Sequence, residues 1–264
     1  MSVAVFTSNQ PRHLSLIRSL ARVFDTVYAV MECNTVFPGQ VADFFRKSEV
    51  MQDYFGRVMA AEDRVFGSVD FLPGNVRVLA LKMGDASQVA PSVFAPVFEA
   101  DHTVVFGASY LKGALCERLV ERGALNIHMG VSPYYRGSSC NFWALADRRP
   151  DMVGATIHKL SKGLDSGAMY YHAFPKPQAA DPFLWGMLSV KAAHDSLVEA
   201  MASGALSGME PVEQDRTREM RYTRNADFTD EVAAAYLSDM PTATDVMSAA
   251  ESRDTSLFLR PIFA

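Results

Sequence analysis

Short apolar runs of β-forming residues alternate along this chain with segments whose apolar positions recur at helical spacing. Residues 3–7 (VAVFT) form the first run, and Ser8-Asn9-Gln10-Pro11 ends it. Leu14, Ile17, Leu20 and Val23 then recur at helical spacing. Residues 27–31, 76–81, 103–106 and 125–128 are further strand candidates. Residues 41–66, 89–98 and 111–122 carry the helical pattern, with Gly56 as a break in the first of them. Strand, helix and strand in repeated order predict an α/β fold with a mostly parallel sheet and crossover helices.

The second half is patterned differently. Residues 142–146 suit a helical turn, and 153–160 and 168–174 read as two strands around a loop at 161–167. Asp181-Pro182 places a side-chain acceptor at an N-cap and proline at the first helical position. The predicted helix runs to about 203, with Phe183, Met187, Val190, Leu197 and Met201 on one face. After Gly208 the pattern weakens. Residues 216–227 are polar and partly strand-like, and 229–237 and 243–250 suit short helices. The apolar end, 257–263, is expected to dock on the body or on a second subunit. This change divides the chain into a main domain, 1–205, and a small C-terminal extension, 206–264.

Composition narrows the possible partners. The 264 residues are 49% hydrophobic, enough for one sizeable core. The net charge of -5 argues against nucleic acid, whose phosphates demand a basic face. Cys33, Cys116 and Cys140 are widely spaced, which predicts buried free thiols rather than a disulfide framework or a zinc site. The first residues lack a basic leader, and no stretch has the roughly 18 apolar residues of a membrane span. These features predict a reducing cytoplasm and no membrane partner. The turn at 8–13 lacks GxGxxG and the Walker pattern, so an ordinary dinucleotide site is not expected. Arg12 and His13 stand where the first helix begins, a place that welcomes an anion or simply faces solvent.

The candidate chemistry lies in "ALNIHMGVSPYYRG", residues 124–137. Asn126 and His128 are two apart in a strand and project to the same side. They stand at its carboxyl end, where open α/β sheets bind ligands. A donor beside a titratable ring suits a reaction that forms an oxyanion while a proton leaves the attacking group, as in acyl transfer to an amine. The same spacing also occurs as a satisfied polar pair beside a loop. Downstream, Asp165 lies between Gly163 and Gly167 on the predicted strand–loop–strand, placed to fold back toward a neighbouring strand. It reads either as a carboxylate that orients His128 or as a turn residue.

Several spaced motifs agree with one family. Asn126-Ile127-His128, Pro133, Arg136-Gly137 and Trp143 are followed by Gly154-x-Thr156-Ile157-His158 and Leu164-Asp165-x-Gly167. Over roughly 100–175 the sequence resembles the folate-dependent formyltransferases, whose pattern N-I-H-x-S-x-x-P-x-x-R-G precedes G-x-T-x-H and L-D-x-G. The resemblance implies a Rossmann-like core and 10-formyltetrahydrofolate as formyl donor, with no metal. It assigns catalysis to Asn126, His128 and Asp165, with Asn126 and His128 on the oxyanion and Asp165 holding the ring. Folate is expected against Tyr110, Leu111, Gly130, Val131, Ser132 and Pro133. The acceptor is expected near Arg12, His13 and Arg136, and His158 is expected to be structural. The usual Pro-Ser after the histidine is Met129-Gly130 here, with the serine displaced to Ser132.

Within the family the acidic balance and short extension disfavour methionyl-tRNA as acceptor, and the first turn is unlike that of glycinamide ribonucleotide enzymes. The chain is most similar to sugar-nucleotide N-formyltransferases, which formylate a dideoxy-amino sugar and are often homodimers. "VFTSNQPRHLSLIRSL" and "CNTVFPGQVADFF" resemble GDP-perosamine N-formyltransferases of O-antigen synthesis. A non-catalytic folate- or nucleotide-binding regulator on the same fold is the contrasting possibility. The intact Asn126, His128 and Asp165 weigh against it.

Overall fold

A computed structural model describes residues 1–34 and 48–264. The first strand, β1 (Ser2–Thr7), is a continuous apolar run because it is buried on both faces, and Val3 to Phe6 are fully inaccessible. Pro11 opens helix α1 (Pro11–Ala21), and the chain returns as β2 (Thr26–Cys33). Helix α2 (Glu49–Phe66) starts at Ser48, whose hydroxyl accepts from the Met51 N–H, and it runs through Gly56 without a break. The expected loop at 37–39 and the expected helical turns at 41–47 lie outside the described residues.

Strands β3 (Val76–Lys82), β4 (His102–Val105) and β5 (Leu125–His128) complete the parallel part, with spatial order β3-β2-β1-β4-β5. The helix expected at 89–98 is instead a 3₁₀ turn, Pro91–Phe94, and a four-residue helix α3 (Ala95–Phe98). Pro91 and Pro96 lack the N–H groups that one continuous helix would use. Helix α4 (Gly113–Glu121) leads into β5.

Short strand β6 (Tyr135–Gly137) and helix α5 (Cys140–Ala146) follow β5. Strands β7 (Ala155–Lys159) and β8 (Met169–Phe174) then extend the sheet antiparallel, β7 beside β5 and β8 beside β7. Helix α6 (Pro182–Ala202) is capped as predicted, with the Asp181 carboxylate accepting from the Phe183 and Leu184 N–H groups at 3.0 Å each. It is buried nearly all round, which suits its largely apolar sequence.

The last segment returns to the body. Strand β9 (Arg221–Thr223) pairs with β6, and helices α7 (Asp230–Ser238) and α8 (Ala243–Glu251) pack near α5 and α6. Strand β10 (Ile262–Phe263) pairs with β8, so among the described residues eight strands form the main sheet. Two apolar clusters follow from side-chain alternation. Val3 and Val5 pack toward α1 and α6, while Ala4 and Phe6 pack toward Phe94, Leu115 and Leu119. A third joins Tyr134, Trp143 and Trp185 to Tyr236, Val246 and Phe258. No helix among the described residues is long and apolar enough to cross a membrane.

Candidate active site

Strand β1 lies between β2 and β4, where the chain's successive connections run in opposite directions across the sheet. Crevices at such switch points bind ligands. One step further, β5 ends beside β7, with Asn126 opposite His158 and His128 opposite Thr156. Alternation and cross-strand pairing therefore gather Asn126, His128, Thr156 and His158 on one face.

The chain turns sharply after His128. Thr156 Oγ1 donates to the Gly130 carbonyl at 2.7 Å and accepts from the Ser132 N–H at 2.9 Å. His172 Nε2 hydrogen-bonds the Ser132 carbonyl at 2.7 Å, and the Ser132–Pro133 peptide is cis. A Cβ at Gly130 would lie 2.5 Å from Cys140 Cβ and 2.6 Å from His128 Nε2. Glycine there lets the start of α5 close over the ring.

Asp165 reaches this face from the loop between β7 and β8. Its backbone has φ 45°, and the close approach that needs glycine is at Gly167, where a Cβ would lie 1.8 Å from the Lys159 carbonyl oxygen. Asp165 Oδ2 is 3.2 Å from His128 Nδ1, and Oδ1 accepts from Asn126 Nδ2 at 3.2 Å. His158 Nδ1 donates to the Lys159 carbonyl at 2.7 Å, which leaves Nε2 to accept from Asn126 Nδ2 at 2.9 Å. Both N–H bonds of Asn126 are thereby committed to His158 and Asp165. Asn126 braces the carboxylate here and has no donor left for an oxyanion. His158, expected to be structural, is part of this network.

His128 is only 6% exposed. Burial opposes its charge, yet the Asp165 carboxylate, with Cys140 as a second contributor, raises its pKa well above the usual imidazole value. Asp165 moves the opposite way. Burial alone would raise it, but His128 holds the carboxyl far below its ordinary range. The pair is an imidazolium and a carboxylate at neutral pH. The ring's Nε2 has only long contacts, 3.5 Å to the Tyr135 carbonyl and 3.5 Å to Cys140 Sγ. That N–H is the one available to a ligand.

Two cavities meet here. The first, about 360 Å³, is lined by Arg12, His13, residues 105–111, Asn126, His128, His158 and the loop to Asp165. The second, about 400 Å³, has an aromatic and aliphatic wall that includes Tyr54, Phe142, Phe183, Met187 and Tyr236. Arg12, His128 and Met129 belong to both. The loop after β4 is organised by Glu32, a buried carboxylate at the end of β2. It accepts from the N–H groups of Gly84, Ala86 and Ser109 and from the Ser109 hydroxyl.

Tyr110 and Leu111 line the first cavity, and the Tyr110 hydroxyl donates to the Lys162 carbonyl at 2.7 Å across the loops. Other expected contacts lie elsewhere. Gly130, Val131, Ser132 and Pro133 are buried behind His128 and form the turn, lining neither cavity. Arg136 is buried, pairs with Glu219 at 2.8 Å and lies over the Tyr222 ring, so it fastens the C-terminal segment instead of facing an acceptor. Arg12 reaches the cavity junction, but Glu62 of α2 accepts from its backbone N–H at 3.1 Å and its guanidinium at 2.8 Å. His13 is 3% exposed and packs on Phe106. Burial first, and Arg12 next, lower its pKa well below the ordinary value. It is neutral near pH 7 and brings no charge to an anion.

Glu62, Glu32, Cys140 and the aromatic wall carry no motif that marks them in sequence. Tyr54 reads there as an ordinary apolar position of a helix. No group of three or more His, Cys, Asp or Glu residues among those described could hold a metal ion.

The chain has the formyltransferase fold: a mixed, mostly parallel sheet flanked by helices, with the crevice at its switch point. A 4-N formyltransferase from Francisella tularensis superposes with TM-score 0.53 at 15% identity, over 86% of this chain and 77% of that one. A formyltransferase from Anoxybacillus kamchatkensis, solved in complex with UDP-4,6-dideoxy-4-formamido-L-AltNAc and tetrahydrofolate, gives 0.50 at 14% identity, over 95% and 100%. In sequence, methionyl-tRNA formyltransferase of Desulforamulus reducens is 29% identical over 97 residues. That match covers 37% of this chain and spans 28% of the relative's length. No protein-family model matches the chain.

Proposed function

We propose that this protein is an N-formyltransferase that moves a formyl group from 10-formyltetrahydrofolate to the amine of a nucleotide-linked dideoxy-amino sugar. The observation that carries this reading is the charged His128–Asp165 pair at the junction of two cavities. A transfer between two bulky substrates needs this arrangement, with one polarising group reachable from both sides. The first cavity, lined by the loop at 105–111 and polar side chains, suits a polar heteroaromatic ring, and the apolar wall of the second suits a deoxy-sugar. The complex of the Anoxybacillus enzyme supports the pairing of folate with a formamido sugar nucleotide.

The chemistry follows from the protonation state. The amine attacks the formyl carbon, a C–N bond forms and the carbonyl oxygen gains charge; as the carbonyl reforms, the bond from that carbon to the folate nitrogen breaks. The Asp165 carboxylate favours the charged ring, so His128 serves as a donor to the carbonyl oxygen through Nε2–H. The attacking nitrogen gives up one proton and the departing folate nitrogen takes one up, through solvent beside Asp165. No net proton is required. Asn126 and His158 keep the carboxylate aimed at the ring throughout.

GDP-perosamine is the first acceptor to test, on the resemblance of the chain's opening residues. Its formylated sugar would serve a surface glycan such as an O-antigen, made in the cytoplasm by a homodimer. The experiment is incubation of purified protein with 10-formyltetrahydrofolate and a panel of GDP-, UDP- and dTDP-linked amino sugars, with mass spectrometry of the products. The expected outcome is an acceptor-dependent formamide with stoichiometric tetrahydrofolate. Formylation of methionyl-tRNA alone would move the protein to the activity of its curated relative. Absence of transfer to every acceptor would leave a binding protein.

A further inference from the structure

The Asp165 loop is held from outside by the C-terminal segment. Met169 and Val212 exchange both backbone hydrogen bonds at 2.8 Å each. Two residues on, Gln214 Nε2 donates to the Asp165 carbonyl at 2.8 Å and to the Gly167 carbonyl at 2.9 Å. Both partners are acceptors, so the amide nitrogen must face them, and its two hydrogens are fully used. The other half of the loop is tied differently, by Ser161 to Gly163 and Ser166 and by the Tyr110 hydroxyl to Lys162. None of these reaches the Asp165 main chain.

Asp165 needs such a tie. Its φ of 45° lies in the left-handed region, which a non-glycine residue keeps only when its surroundings impose it. Its carboxylate meets His128, Asn126 and His158 at once, so a small rotation of its backbone breaks several contacts together. We infer that Gln214 is a positioning residue for the reaction, clamping the Asp165 backbone so that its carboxylate stays on His128. The C-terminal segment thereby contributes to the site through Gln214, which lines neither cavity. The inference rests on the formyltransferase reading for its activity readout only.

The test is Gln214→Met, which keeps the length, adds no charge and removes both donors. The titratable groups facing His128 are Asp165, Cys140 and His158, with His172 further off. Of these only Asp165 is tied to Gln214. In an NMR titration the His128 midpoint is expected to fall by about one pH unit, because a loosened carboxylate no longer favours the charged ring. The resonances of His13, His172 and His194, which do not contact Asp165, are expected to stay in place. In turnover, kcat should fall roughly 10-fold, with its alkaline limb displaced to lower pH and KM for both substrates little changed. Gln214→Asn, too short to reach both carbonyls, serves the same measurements should the methionine variant not fold. A His128 midpoint unmoved in the folded variant overturns the inference. If wild-type protein transfers no formyl group, the functional reading falls and the titration still decides the role of Gln214.

Discussion

Two groups of buried histidine lie around one crevice and behave in opposite ways. His128 is 6% exposed and charged, because Asp165 stands 3.2 Å from Nδ1. His13 and His194 are 3% and 2% exposed, and among the described residues neither ring pairs with a carboxylate. His194 packs against Phe66 and Phe106, and burial, then Arg12, lower its pKa to about 3. Burial by itself makes a histidine neutral and inert. A carboxylate held in contact makes the same residue a cation inside a cleft. Beside His13, the Glu62 carboxylate is engaged by Arg12 and not by a histidine.

The largest effect expected is from removing the difference. Asp165→Asn should turn His128 into a neutral buried ring like His194 and lower kcat roughly 1,000-fold, since a buried charge left without its partner is strongly disfavoured. Steady-state kinetics and the His128 titration check this. Retention of more than a tenth of the rate would remove Asp165 from the mechanism. Asn126→Ala should act less, roughly 10- to 100-fold on kcat, because Asn126 braces Asp165 and His158 and holds no donor in reserve. Its effect on the pH profile should resemble that of Gln214→Met. A pure KM effect would show that Asn126 binds substrate instead.

The smallest effect concerns stability. His194 has a lowered folded pKa, so the unfolded chain takes up its proton first as pH falls below about 6.5. Its burden on stability is absent above that value and grows as pH drops toward the folded pKa of about 3. At pH 5.5 this amounts to about 1.4 kcal/mol. His194→Leu should therefore gain about that much at pH 5.5 relative to pH 8, measured by urea unfolding at both values. An equal change at the two pH values would show that His194 titrates no differently when folded.

Much of the architecture is legible in the sequence. The strand runs at 3–7, 27–31, 76–81 and 125–128 and the Asp181-Pro182 cap are local signals, and each sits where its pattern predicts. The segment at 89–98 misleads because its apolar spacing is helical, whereas Pro91 and Pro96 divide it into two short turns. The spacing of Asn126 and His128 is informative for the same local reason, since strand alternation alone puts them side by side. Residues 130–133 and Arg136 sit within the motif and so invite assignment to ligands, whereas burial and the Glu219 pairing give them structural work. Nothing at their own positions distinguishes a loop that lines a cleft from one that backs it.

The sequence by itself determined the order of the main strands and most helices, the Asp181 cap of α6 and the polar pair at the end of β5. These depend on residues a few positions apart, whose geometry the backbone sets. Only the tertiary structure decided that Asp165 meets His128, that Arg12 is answered by Glu62 and that Gln214 clamps the loop. Each joins residues 37 to 50 positions apart, through the return of β7, the packing of α2 and the return of the C-terminal segment. The charge of His128 belongs to that second class. The motif around Asp165 names it as a partner for His128, but only the fold places the carboxylate in contact within a buried site and so sets the charge.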